Sequence, residues 1–210
     1  MKEKIKKTII FDFDGVIIDS LNIKTQAFET LYKKYGKKIS LKAKEYHKKN
    51  EGISRFEKFK YINKNYLKKK NININNLNIK YSKIIINKIL KKKITYGFLI
   101  FLKENLNKYN FFISSSSPEI ELKNIIKMKK LNKFFIDSYG FPPNKYKQIK
   151  FIINKYNLKK NEVYYVGDTI NDYEVCKKIN INFIGFTRFN KIKKNNLLKI
   201  NNFNNLKGYI

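Results

Sequence analysis

The apolar positions of the chain fall into two rhythms. Thr8 to Phe13 is a near-continuous apolar run that ends in Asp, Gly and turn chemistry, the pattern of a strand buried on both faces of a parallel sheet. Phe111 to Ser114, Val163 to Val166 and Asn182 to Phe186 repeat that pattern and predict three more strands. Helical stretches accompany them over Gly97 to Lys108, Glu119 to Lys130, Tyr146 to Tyr156 and Asn171 to Ile179. Strands alternating with helices predict an α/β fold, an open parallel sheet covered by helices on both faces.

The segment 21–92 breaks this rhythm. Phe28, Leu31 and Tyr32, then Phe56, Phe59, Tyr61 and Ile62, then Ile84, Ile85, Ile89 and Leu90 lie at helical spacing, and no strand pattern intervenes. The expected organisation is a core made of 1–20 and 93–210, with an all-helical lobe, 21–92, inserted after the first strand. Asn71 to Asn78 is low in complexity and predicts a loop inside that lobe. From Asn190 onward Lys and Asn dominate, and no element is predicted.

Composition changes this picture little. A chain of 210 residues suffices for one hydrophobic core with an insertion. The formal net charge of +31 invites a nucleic-acid partner. However, the positive residues are almost all lysine, and base readout and phosphate clamping favour the arginine fork found here only at Arg55 and Arg188. Lysine also travels with Asn and Ile along the whole chain, so no specific nucleic-acid partner is expected. Cys176 is the single cysteine, which rules out a disulfide within the chain and suits a reducing, cytoplasmic setting. Asp12 and Asp14 interrupt the apolar run behind the basic start, against an export signal. No stretch approaches the roughly 20 apolar residues of a membrane span.

The chemistry gathers at strand ends. Asp12-Phe13-Asp14-Gly15-Val16 closes the first strand, at the sheet edge where open parallel sheets bind ligands. Residues two apart on a strand share a face, so both carboxylates are expected to point the same way. Carboxylates held together repel unless a cation lies between them, and Mg²⁺ favours such oxygens and brings phosphate oxygens with it. Gly167-Asp168-Thr169-Ile170-Asn171-Asp172 follows another strand and delivers Asp168 and Asp172 to the same edge. Between them stands Ser114-Ser115-Ser116-Ser117-Pro118-Glu119. Ser117 and Pro118 read as helix-start grammar, whereas Ser115, or failing it Ser114, is the candidate phosphate contact. Lys145 follows Pro142-Pro143-Asn144 at a helix start. Asp19 and Ser20 open the first lobe helix as caps and hinge, His47 reads as a helix-surface residue, and Cys176 as a small core residue.

These motifs, in this order and spacing, resemble the haloacid dehalogenase superfamily. The resemblance implies a Rossmann-like core with a helical cap. It implies Asp12 as nucleophile and Asp14 as general acid then base, with Ser115, Ser116, Lys145 and Gly15 around the phosphate. Asp12, Asp14, Asp168 and Asp172 would hold Mg²⁺, Asp14 through its carbonyl and Asp172 through water. Dehalogenases lack an acid at the position of Asp14, so its presence points to phosphate chemistry. Gly52-Ile53-Ser54-Arg55 resembles the cap loop of phosphoglycolate phosphatases and β-phosphoglucomutases, implying substrate contact by Arg55. Ser54 equally reads as a helix cap with Glu57 behind it. Asp19 and Lys24 join the substrate candidates, but Lys24 stands where the mutases carry a histidine. The expected function is therefore an Mg²⁺-dependent phosphatase acting on a small phosphorylated metabolite, a sugar phosphate or a phosphoglycolate-like compound, through an aspartyl-phosphate. A phosphosugar mutase is the first alternative. A catalytically idle, nucleic-acid-binding protein on this scaffold is the second, and the clustered acids argue against it.

Overall fold

The computed structural model describes residues 6–68, 72–189, 192 and 196–210. The chain forms two compact units, Met1–Asp19 with Lys93–Ile210, and Ser20–Lys92.

The first unit is built on a parallel sheet of β1 (Lys7–Phe11), β2 (Tyr109–Pro118), β3 (Asp137–Phe141), β4 (Val163–Gly167), β5 (Asn182–Phe186) and β6 (Lys199–Ile200), in the order β3-β2-β1-β4-β5-β6. Strand β1 is central because its apolar run has two faces to bury, and Ile9, Ile10 and Phe11 are completely enclosed. Ile10 pairs in register with Phe112 and Tyr165, and this face packs on Ile149, Ile152 and Cys176 of the helices α7 (Lys145–Lys155) and α8 (Ile170–Ile179). On the other face Phe11 meets Phe98 edge-on at 5.1 Å, and Phe203 lies 4.8 Å from both Phe98 and Phe186. Phe98 opens α5 (Phe98–Asn105), and α6 (Glu119–Met128) links β2 to β3. The order of strands reverses at β1, which places the ligand-binding crevice at the C-terminal ends of β1, β2 and β4.

Two strands carry no apolar run. In β3 buried positions alternate with half-buried ones, and a Cβ at Gly140 would lie 2.4 Å from the Glu119 Cα, so only glycine allows this strand to pass the start of α6. Strand β6 is two residues long and pairs with β5 in a segment anchored by the buried Ile192, Ile200, Phe203 and Leu206.

The second unit is helical, with α1 (Leu21–Tyr32), α2 (Lys37–Lys49), α3 (Arg55–Asn65) and α4 (Ile74–Lys91). Its centre is aromatic, Phe28 lying 5.4 Å from Phe59 and 4.9 Å from Tyr81. The loop expected over Asn71 to Asn78 is mostly helix. Asn73 caps α4 through the Asn76 amide, and Leu77, Tyr81, Ile85 and Ile89 bury one stripe, so packing overrides the poor propensity of the asparagines; Asn71 itself lies outside the described residues. His47 is not a surface residue either. It is buried, stacked 4.4 Å from Phe28, and its Nδ1 lies 3.1 Å from the Lys58 Nζ. Burial, with Lys58, Lys24 and Arg55 nearby, holds its pKa well below the usual histidine value. Ser20 occupies the N-cap position of α1 without a side-chain cap bond. Among the described residues no helix is long and apolar enough to cross a membrane.

Candidate active site

Asp12 follows β1 directly, its amide donating to the Val166 carbonyl of β4 at 2.9 Å, which continues the sheet pairing one residue beyond the strand. The chain then turns sharply. Gly15 adopts a positive φ of 79°, the Ile17 and Ile18 amides return to the Phe13 carbonyl, and the Thr95 hydroxyl reaches the carbonyls of Val16 and Ile17 at 2.7 and 3.0 Å. This loop is therefore fixed from both sides, and with it the Asp12 side chain.

Asp168 and Asp172 arrive from the end of β4 and the first turn of α8. The Thr169 hydroxyl and the Asp172 carboxylate cap α8 reciprocally, Thr169 donating to Asp172 Oδ2 at 2.7 Å. Gly167 permits this arrangement: a Cβ there would stand 2.8 Å from Asp172 Oδ2. Asp12, Asp168 and Asp172 are all buried, each offering a carboxylate oxygen within 4.8 Å of the others. Lys145, at the start of α7, donates to Asp12 Oδ2 at 2.6 Å and to Asp172 Oδ1 at 2.5 Å. Burial drives the Asp12 pKa up to about 7, Lys145 opposing and Asp172 and Asp14 reinforcing the shift. Burial alone would lower Lys145, but Asp12 and Asp172 outweigh it and keep the ammonium charged. Among the described residues, Lys145 is the ammonium that meets this group of three carboxylates, which leaves negative charge in excess, and a hard divalent cation such as Mg²⁺ fits this all-oxygen donor set.

Strand β1 ends at Phe11, and Asp14 stands outside the group of three carboxylates, although it is near enough to help raise the Asp12 pKa. Asp14 Oδ2 accepts from the Ser117 hydroxyl at 2.8 Å. Ser117 is thus not the cap of α6; Pro118 takes the N-cap position with no side-chain bond, because β2 runs on through the serines to Pro118. The Ser114 hydroxyl is fully buried and donates to Gln148 Oε1 at 2.7 Å, whereas Ser115 Oγ accepts from the Ser117 amide at 3.2 Å. Ser116 is half-buried beside them.

Asp19 ends the first segment of the α/β unit, and Lys24, Ser54 and Arg55 lie in the helical unit. Ser54 caps α3, accepting from the Phe56 and Glu57 amides. Buried Arg55 donates to Ser82 Oγ at 2.9 Å, with its guanidinium 4.6 Å from the Tyr81 ring centre. Lys24 is half-buried, and its carbonyl accepts from the Tyr81 hydroxyl at 3.2 Å.

The model of the haloacid dehalogenase-like hydrolase family matches residues 9–186, from β1 to the end of β5. The chain belongs to that family. No curated protein matches it. Among solved structures, a haloacid dehalogenase-like hydrolase from Streptococcus pneumoniae superposes with a TM-score of 0.73 at 17% identity, covering 97% of this chain and 98% of the other. A candidate phosphoglycolate phosphatase from Lactobacillus plantarum gives 0.78 at 11% identity, with 98% and 99% covered. A candidate hydrolase of the family from Bacillus subtilis, solved with magnesium bound, gives 0.70 at 13% identity, with 98% of both chains covered. At these identities the likeness establishes the haloacid dehalogenase-like fold. Two residues of this family member escaped the sequence pattern, Gln148 and Tyr165. Tyr165 reads as one more buried strand residue, although its hydroxyl donates to the Ser114 carbonyl at 3.0 Å. Gln148 had a visible signal: it is a polar residue that joins Lys145 on the α7 face formed by Ile149, Ile152 and Ile153.

Proposed function

We propose that the chain is an Mg²⁺-dependent phosphatase that hydrolyses a small phosphate monoester through an aspartyl-phosphate on Asp12. The observation that carries this reading is Asp12 itself, buried at the end of the central strand among Asp168, Asp172 and Lys145. Asp12 and Asp168 would hold the ion directly, Asp14 through its carbonyl. Asp172 would hold it through water, which suits a carboxylate whose two oxygens already accept from Lys145 and Thr169. Bound there, the ion supplies positive charge to the phosphoryl oxygens.

The side chains account for the remaining chemistry. The Asp12 carboxylate attacks phosphorus in line as the bond to the leaving oxygen breaks, and Asp14 gives that oxygen its proton. Asp14, now a carboxylate, takes a proton from water as the water attacks the phosphorus of the acyl phosphate, which frees phosphate and restores Asp12. The Ser117 hydroxyl keeps Asp14 oriented for both transfers. Ser115 is the better phosphate donor of the serine pair, because the Ser114 hydroxyl donates its hydrogen bond to Gln148 Oε1, whereas Ser115 Oγ accepts from the Ser117 amide. Lys145 moves its charge from the acids to the phosphate, and Ser116 and Gly15 would complete the phosphate contacts. Arg55, placed by the Ser54 cap, and Lys24 of the helical unit, with Asp19 of the α/β unit, would select the substrate. Lysine at position 24, in place of a proton-transferring histidine, favours hydrolysis over mutation of a sugar phosphate.

The purified protein, given Mg²⁺ and a panel of phosphorylated sugars and hydroxy acids beside an aryl phosphate, is expected to release phosphate, to stop with chelator and to resume with Mg²⁺. Isomerised product with little phosphate would support the mutase instead. Absence of both would overturn the reading.

The ion should also bind in competition with a proton. Metal binding requires ionised Asp12, whose pKa in the folded metal-free protein is raised to about 7. Below that pH the affinity for Mg²⁺ is expected to fall by up to about tenfold per pH unit, and to level off above it. Calorimetric titrations between pH 5.5 and 8.5 read this directly, and a flat profile would contradict the assignment.

A further inference from the structure

Gln148 lies one helical turn beyond Lys145 on α7, 1% exposed, and both ends of its amide are in use. Its Oε1 accepts from the Ser114 hydroxyl at 2.7 Å, while Nε2 donates to the Ser115 carbonyl at 3.1 Å and to the Pro143 carbonyl at 2.6 Å. Ser114 and Ser115 belong to the end of β2, and Pro143 to the turn that leads into α7. A second bond, from the Tyr165 hydroxyl to the Ser114 carbonyl, secures the same stretch of β2 from β4.

The chemical demand at this position is specific. The partners present one donor and two acceptors, and a side-chain amide supplies the matching acceptor and two donors. A carboxylate could not donate to the two carbonyls, and an ammonium could not accept from Ser114. The amide also adds no charge beside a site already crowded with carboxylates. Residues three apart on a helix leave it on one side, so the side chain that fixes β2 is held in rigid relation to the side chain that pairs with Asp12.

We propose that Gln148 is a positioning residue that sets the Lys145 ammonium against the Ser114–Ser115 backbone, so that cation and phosphate loop address the same phosphoryl group. The inference rests on the phosphatase reading, and Gln148 touches no reacting atom. Gln148→Glu keeps the shape but turns a carboxylate oxygen towards the Ser115 and Pro143 carbonyls. Its kcat is expected to fall about 10- to 100-fold with a smaller change in KM, the scale on which supporting partners of a site act. Activity relative to the wild type should recover as pH falls, because a protonated carboxyl can donate to one of the two carbonyls.

The test is steady-state phosphate release by wild type, Gln148→Glu, the uncharged Gln148→Met, and each of these with Lys145→Met, every protein also being followed by thermal melting. The expected result is that replacing Gln148 costs much with Lys145 present and little with Lys145 already gone. Full kcat in either folded single variant, costs that add in the double variants, or losses that only follow the fraction of folded protein would overturn the proposal. A wild type that releases no phosphate would overturn the phosphatase reading first and the inference with it.

Discussion

Asp12→Asn is expected to abolish phosphate release, with a fall of about 10⁴-fold or more, the scale on which loss of a covalent nucleophile acts in other hydrolases. The fold should survive. Asparagine has the same size, its amide oxygen can keep the 2.7 Å bond from the Phe13 amide, and Lys145 retains Asp172. The stability change has a definite sign. The folded pKa of Asp12 is raised from 3.8 to about 7, so between those values the folded state holds the proton more tightly than the unfolded chain. Stability contributed by the protonated carboxyl is therefore lost as pH rises through about 7, and asparagine escapes that loss. Without metal at pH 8 the variant should melt at or above the wild-type temperature, and with Mg²⁺ it should gain less than the wild type. A variant that melts well below the wild type would show that Asp12 serves the fold rather than the chemistry.

Lys145→Met acts in the opposite sense. Asp12 and Asp172 would lose the Lys145 ammonium that bridges them inside a buried site, and removing one member of such an ion pair typically costs about 3–5 kcal/mol. Metal-free Lys145→Met should melt well below the wild type, be partly restored by Mg²⁺, and be restored again by adding Asp12→Asn, which removes the stranded charge. Its phosphate release should fall by about 10²–10³-fold, as for loss of one fixed donor to a developing charge. Chemical denaturation of the four proteins, with and without Mg²⁺, checks both parts. Stability unchanged in metal-free Lys145→Met would deny the charge excess on which the metal site depends.

The sequence carried the parts of the fold that depend on bulk apolar burial. Strands β1, β2, β4 and β5 and helices α5 to α8 announce themselves because their side chains fill the two faces of the sheet. Strand β3 does not, since it depends on Gly140 slipping past Glu119, a fit between segments distant in sequence. Strand β6 depends on pairing with β5 alone. At the site, the acids were legible but their hydrogen-bond partners were not. Helix-start grammar claimed Ser117, although β2 continues through the serines to place its hydroxyl on Asp14. His47 misled in the same way, since the stacking face of Phe28 that buries it is a tertiary property. The role of Gln148 likewise exists only once β2 and α7 are side by side.

The central claim is that phosphate passes through a covalent bond to Asp12. The direct measurement is to quench the enzyme during turnover with Mg²⁺, reduce with borohydride, which converts an acyl phosphate to an alcohol, and map the peptides by mass spectrometry. The account predicts reduction of Asp12 to homoserine in the wild type, dependent on substrate and Mg²⁺. Steady phosphate release with Asp12 unmodified, or with another carboxylate reduced in its place, would contradict it.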